Sequence, residues 1–276
     1  MASISVLDNT RIAFIGAGNM ASALIQGLLS KGLKAARLQV SDKDQQRLSY
    51  FEEQLHIKTS TDNLQICEQA DVIVLAVKPQ TLPAVLSEIA PTLKGKQPLV
   101  ISIAAGTTSS AIAEILGESA AIVRAMPNTP AMVQTGATGL YANAHVNDAQ
   151  KQIADALLSA VGLVTWVQDE ALINAITAVS GSGPAYFFYL MEAMINAGLA
   201  LGLDATTARD LTLQTALGAA QLAITSDESP STLREKVTSP GGTTAAALQA
   251  LNDQGVSEAV IKALTAARDR SQELSQ

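Results

Sequence analysis

"RIAFIGAGNMA", residues 11–21, decides the fold. Ile12 to Ile15 read as a short buried strand, and Gly16 and Gly18 then turn the chain. From Asn19 onward, "NMASALIQGLLSKG" places apolar residues at helical spacing, with Gly32 as a stop. A strand that turns through Gly-x-Gly into a helix is the setting in which G-x-G-x-x-G/A cradles a dinucleotide. Gly16 permits the tight turn, Gly18 lets the backbone approach a pyrophosphate, and Ala21 keeps helix and strand close. Amides at the helix N-terminus then face the phosphates. Gly16, Ala17, Gly18, Asn19 and Met20 are therefore candidate cofactor-binding residues.

Outward from this unit the alternation continues. "RLQVSD" (37–42), "DVIVLAV" (71–77), "PLVISIA" (98–104) and "AAIVRAM" (120–126) read as strands, with helices at about 43–55, 62–69, 80–90 and 108–117 between them. Continuous apolar runs such as Val72 to Val77 belong to strands covered on both faces. Such alternation predicts a parallel, doubly wound α/β sheet of Rossmann type. "GATGLYAN" (136–143) and "GLVTWV" (162–167) read as further strands at its edge.

From about 168 the strands disappear and helical patterns follow one another to the end. Two domains are expected, a dinucleotide-binding domain at 1–167 and an all-α domain at 168–276. The helix expected over 184–203 is apolar almost all round and holds four of the nine aromatics in Tyr186–Tyr189. A helical domain of about 100 residues has too little surface to cover it alone. Burial against a second subunit is the natural resolution, so a homo-oligomer is expected.

A formal net charge of −7 argues against nucleic acid or an anionic membrane as partner. The apolar 184–203 segment carries Glu192 and Asn196 and reads as a buried helix, not a membrane span. One cysteine, Cys67, fits a reducing compartment and with it a cytoplasmic protein. Two histidines, His56 and His145, are too few and too scattered for a metal cluster, and no metal is expected.

The end of the second strand decides which dinucleotide binds. In "VSDKDQQR", Asp42 suits a ribose hydroxyl of NADH, or simply caps the next helix. Ser41, Lys43 and Arg47 suit the extra phosphate of NADPH, and a modest preference for NADPH is expected. "AVKP" closes the strand at 71–77, and strand C-termini border the ligand crevice in such sheets. Ala76, Val77, Lys78 and Pro79 are thus placed beside the cofactor, and Asn63 is counted with them. "MPNTP" (126–130) frames Asn128 between prolines as a site loop, and "SGSGP" (180–184) precedes the long apolar helix. "TSPGGTT" (238–244) interrupts a helical region with a rigid, hydroxyl-lined turn.

In this order and spacing, "FIGAGNMA", "DVIVLAVKPQ", "RAMPNTPA", "AVSGSGPAY" and "SPGGTTAAAL" resemble the pyrroline-5-carboxylate reductase family over essentially the whole chain. The resemblance implies NAD(P)H-dependent reduction of the cyclic imine 1-pyrroline-5-carboxylate to L-proline, the last step of proline biosynthesis. It also implies an obligate dimer with interlocked helical domains and active sites built across the subunit boundary; some relatives assemble further into decamers. On the family pattern Thr244 is the catalytic residue, placing its hydroxyl on the ring nitrogen. Successive amides around Gly241, Gly242 and Thr243 then form a nest for the substrate carboxylate. Ser239 and rigid Pro240 hold the loop, and Asn128 completes the substrate-binding set. A protonated imine is already electrophilic, so positioning matters more than a strong general acid. Of two rivals, a β-hydroxyacid dehydrogenase needs an acid/base lysine early in the helical domain, and no lysine lies between Lys151 and Lys236. A regulatory protein that binds the cofactor without turnover would have no need of the "TSPGGTT" loop.

Overall fold

The computed structural model describes residues 3–275. Residues up to Ser182, together with the chain from Ala267 on, form one compact unit, and Gly183–Ala266 form a second.

The first unit is built on eight strands: β1 (Ile12–Ile15), β2 (Leu38–Ser41), β3 (Lys58–Ser60), β4 (Val72–Leu75), β5 (Leu99–Ser102), β6 (Ile122–Met126), β7 (Gly136–Ala142) and β8 (Gly162–Trp166). They lie in the order β3-β2-β1-β4-β5-β6-β7-β8. The first six run parallel, β7 reverses against β6, and β8 runs parallel to β7. The sheet is thus mixed rather than parallel to its edge. The cause is local: a parallel return needs a crossover of roughly a dozen residues or more. Residues 127–135 hold only a tight 3-10 turn at Thr129–Val133.

The helices of this unit are α1 (Asn19–Ser30), α2 (Gln45–Glu53), α3 (Asn63–Cys67), α4 (Leu82–Leu93), α5 (Ser109–Leu116), α6 (Asp148–Leu158) and α7 (Leu172–Ile176). Alternate residues of each strand feed opposite faces. Ile12 and Phe14 of β1 join Leu24, Ile25 and Leu28 of α1 and Leu157 of α6 in one core. Ala13 and Ile15 join Ile66, Leu86, Ile89 and Ile112 of the helices on the other face. The expected double winding is present.

The second unit holds α8 (Gly183–Ala200), α9 (Ala205–Thr225), α10 (Pro230–Lys236), α11 (Thr243–Asp253) and most of α12 (Val256–Glu273). Asp204 caps α9, its side chain accepting from the Thr207 amide. Residues 168–182, assigned by sequence to the helical domain, pack with the sheet. So does the end of α12, where the buried Ser271 hydroxyl donates to Asn174 Oδ1 at 2.8 Å. Among the described residues no helix is long and apolar enough to cross a membrane.

Candidate active site

The C-terminal ends of β1, β2 and β4 open onto a cavity of about 400 Å³. Its lining brings together Gly16, Gly18, Ser41, Asp42, Lys43, Asn63, Ala76, Val77 and Lys78, nine of the candidate cofactor residues, and adds Arg47, Thr81 and Val85. Asn19 and Met20 open α1 beside it. Ala17 is buried behind the lining, and Pro79 starts the turn that leads into α4.

The glycines explain the shape of this cavity. Gly16 has φ +105°, and a Cβ there would lie 2.5 Å from the Ala76 carbonyl oxygen, so a side chain is excluded on both counts. At Gly18 a Cβ would meet nothing within 4 Å. Gly18 is also the N-cap of α1, and no side chain caps that helix. The first-turn amides thus face open space over a glycine, which fits the pyrophosphate of a dinucleotide.

Ser41 differs from its expected role. Its hydroxyl is fully buried and donates to Asn63 Oδ1 at 2.7 Å. Asn63 in turn donates from Nδ2 to Glu88 Oε2 at 2.9 Å. Ser41 ends a strand buried on both faces, and its side chain is bonded to Asn63 at the edge of the cavity that it lines. Lys43 and Arg47 are exposed beside the cavity. Arg47 faces Asp44 at 3.4 Å and Asp42 at 3.9 Å.

Farther along the sheet lies a buried ion pair that sequence reasoning passed over. Arg124, on β6, is only 4% exposed. Its Nη1 donates to Glu170 Oε1 at 2.8 Å. Glu170 also accepts from the Ser109 amide at 2.6 Å and the Ser109 hydroxyl at 2.7 Å. One carboxylate thus ties β6 to the start of α5. The signal was available: an arginine inside "AAIVRAM" needs a buried partner. Asn128 is engaged nearby in the same way. Its Nδ2 donates to the Ser180 carbonyl at 3.0 Å, and its Oδ1 accepts from the Ala137 amide at 2.9 Å. It therefore ties β7 to the turn before α8.

Cys67 is fully buried on α3. Burial, with smaller contributions from Glu88 and Asp62, pushes its thiol from an ordinary 9.0 to about 12, so it stays protonated and unreactive.

In the second unit, Ser239 to Gly242 form a turn closed by the Gly242 amide donating to the Ser239 carbonyl at 3.0 Å. Pro240 at the second position and Gly241 at φ +70° in the third make it a type II turn, which needs glycine there. The Gly242 amide is therefore engaged and does not join the expected nest. Gly242 is instead the N-cap of α11, with no side-chain cap. The free amides are those of Thr243, Thr244 and Ala245, one step further on. Thr244 is half-buried in that first turn. An uncapped N-terminus behind a rigid turn suits a carboxylate, with a hydroxyl beside it for a ring nitrogen.

Comparison with known proteins extends the likeness over the full chain. Residues 170–274 match the family model for pyrroline-5-carboxylate reductase dimerisation, and residues 11–106 match that of a coenzyme F420-dependent NADP oxidoreductase. The chain is 50% identical over 270 residues to the pyrroline-5-carboxylate reductase of Pseudomonas aeruginosa, covering 98% of each. It is 43% identical to that of Vibrio alginolyticus, over 97% of this chain and 98% of the relative. The solved pyrroline-5-carboxylate reductase of Coxiella burnetii superposes with a TM-score of 0.94 at 47% identity, covering 97% of this chain and 99% of that one. The pyrroline carboxylate reductase of Plasmodium falciparum, solved with NADP bound, gives 0.86 at 30% identity, covering 98% and 99%. Likeness of this extent, unbroken from the glycine loop to the last helix, makes the chain a member of the pyrroline-5-carboxylate reductase family.

Proposed function

We propose that this NAD(P)H-dependent oxidoreductase reduces the C=N bond of 1-pyrroline-5-carboxylate to give L-proline, the last step of proline biosynthesis. The observation that carries this reading is the start of α11, where a Pro-Gly-Gly turn presents an uncapped helix N-terminus next to the Thr244 hydroxyl. The amides of Thr243, Thr244 and Ala245 hold the substrate carboxylate, and the Thr244 hydroxyl orients the ring nitrogen. Ser239 and Pro240 keep the turn in shape. A reduced nicotinamide, when bound, supplies the hydride that the C=N carbon takes up. The nitrogen keeps its proton as the iminium becomes the amine, so no strong acid is needed among the side chains.

Gly16, Gly18 and the first turn of α1 hold the pyrophosphate, and Lys78 closes the rim at the end of β4. Asn128 belongs to the site as the tie that fixes the loop after β6. Lys43 and Arg47, with two positive charges at the far end of the cavity, favour NADPH over NADH. The active form is a homodimer, supported by the match of residues 170–274 to a dimerisation family and by the exposed Phe187, Phe188 and Tyr189 on α8. Sedimentation distinguishes this dimer from a larger ring of dimers. The single buried cysteine is consistent with the cytoplasm. The test is to follow oxidation of each reduced cofactor on adding pyrroline-5-carboxylate to purified protein. Imine-dependent oxidation with a higher kcat/KM for NADPH is expected. Cofactor binding without turnover would instead favour a regulatory protein.

A further inference from the structure

Asp42 stands at the end of β2, where Rossmann sheets carry the acid that reads the adenosine ribose. The residue lines the cavity, and its carboxylate is bonded to two backbone amides. Oδ2 accepts from the Ala17 amide at 2.8 Å, inside the glycine loop. Oδ1 accepts from the Asp44 amide at 2.9 Å, at the start of α2. One residue earlier, the Gly16 amide donates to the Ser41 carbonyl at 2.7 Å. Two successive amides of the loop are thus stitched to the last residue of β2 and the residue after it, the second through a side chain. Ala17 is buried, so without Asp42 its amide has no acceptor and the loop conformation becomes costly. Each carboxylate oxygen has two lone pairs, and one on each is already taken by a backbone donor. Arg47 lies 3.9 Å from Oδ2 and offsets its charge.

We infer that Asp42 is a positioning residue that latches the glycine loop from behind, serving NADH and NADPH alike, and not the residue that chooses between them. The inference rests on the proposed cofactor use, which it deepens by separating loop order from selectivity. The pyrophosphate is common to the two cofactors, so loss of the latch weakens both equally. Selectivity then belongs to Lys43 and Arg47.

The experiment uses the full chain, titrated with NADH and with NADPH by fluorescence, alongside hydrogen exchange of the free protein. Asp42→Ala is expected to raise both dissociation constants about tenfold, the order of one charge-assisted hydrogen bond, with their ratio kept within about twofold. Exchange at the Ala17 amide accelerates with no cofactor present. Asp42→Asn keeps a carbonyl oxygen for that amide and recovers part of the loss, which a ribose reader would not do evenly for both cofactors. Loss of NADH affinity alone, with NADPH unchanged or tighter, overturns the inference. Unchanged exchange at Ala17 overturns it too. If the parent chain binds neither cofactor, the proposed function fails, while the exchange result still reports whether Asp42 holds the loop.

Discussion

Thr244 offers the sharpest residue-level test, because Val preserves its size and branching while removing only the hydroxyl. Thr244→Val is expected to lower kcat/KM for the imine by about tenfold to a thousandfold, the range for a positioned polar donor, and to leave cofactor affinity near its original value. Thr243→Val, whose assigned contact is a backbone amide, is the control. Unaltered turnover in Thr244→Val would reduce the loop to a helix connector. Cys67 makes a different kind of statement. Its thiol titrates near 12 when folded and near 9.0 when unfolded, so the unfolded chain releases its proton first. This group's contribution to stability is complete below pH 9 and declines as the pH rises from about 9 to about 12. Accordingly, iodoacetamide at pH 8 is expected to spare the native protein and to label it once unfolded; rapid native labelling would contradict its burial. The glycine loop was legible in the sequence because its geometry depends on backbone freedom, whereas the role proposed for Thr244 comes from the family resemblance. The bond of Ser41 was not legible, because the partner of a strand-end side chain depends on the neighbouring helix, here through Asn63.

At the scale of elements, the parallel strands were legible from their unbroken apolar runs and α1 from its spacing. β3 was missed because Lys58–Ser60 is three polar residues at a sheet edge and has no pattern to read. α6 was missed although Asn147 and Gln150 form a capping box at its start. The reversal of β7 was hidden because strand direction follows from connection length and packing, not from composition. The junction of β6, α5 and the segment before α7 rests on Glu170, whose partner Arg124 is almost wholly buried. Glu170→Ala leaves that guanidinium without its carboxylate, and removing one partner of a buried pair costs about 3–5 kcal/mol. A clear fall in melting temperature is expected, with Glu170→Gln less severe because the amide still accepts from Ser109. A loss below about 1 kcal/mol would mean that the pair behaves like one on the surface.

Across the whole molecule, periodicity located the helices but not the body each one joins. The dimerisation family match begins at residue 170, yet Glu170 and Ser180 bond to the sheet unit. The need for a partner was legible in α8, because a helix apolar almost all round has no face to give to water. In the single chain, Tyr189 is 75% and Leu190 54% exposed. A charge at Leu190 is therefore tolerated by the lone chain and opposed only at an interface. Leu190→Lys is expected to keep its helical circular dichroism while losing both the proposed dimer in sedimentation and its activity; an active monomer would contradict the proposed dimer. The central claim, reduction of a cyclic C=N bond, is tested most directly by following the transferred hydrogen. Protein, pyrroline-5-carboxylate and NADPH carrying deuterium at the transferable position should yield proline with one deuterium, on the ring carbon that was double-bonded to nitrogen. Unlabelled proline, or no proline from a folded dimer, would contradict the account.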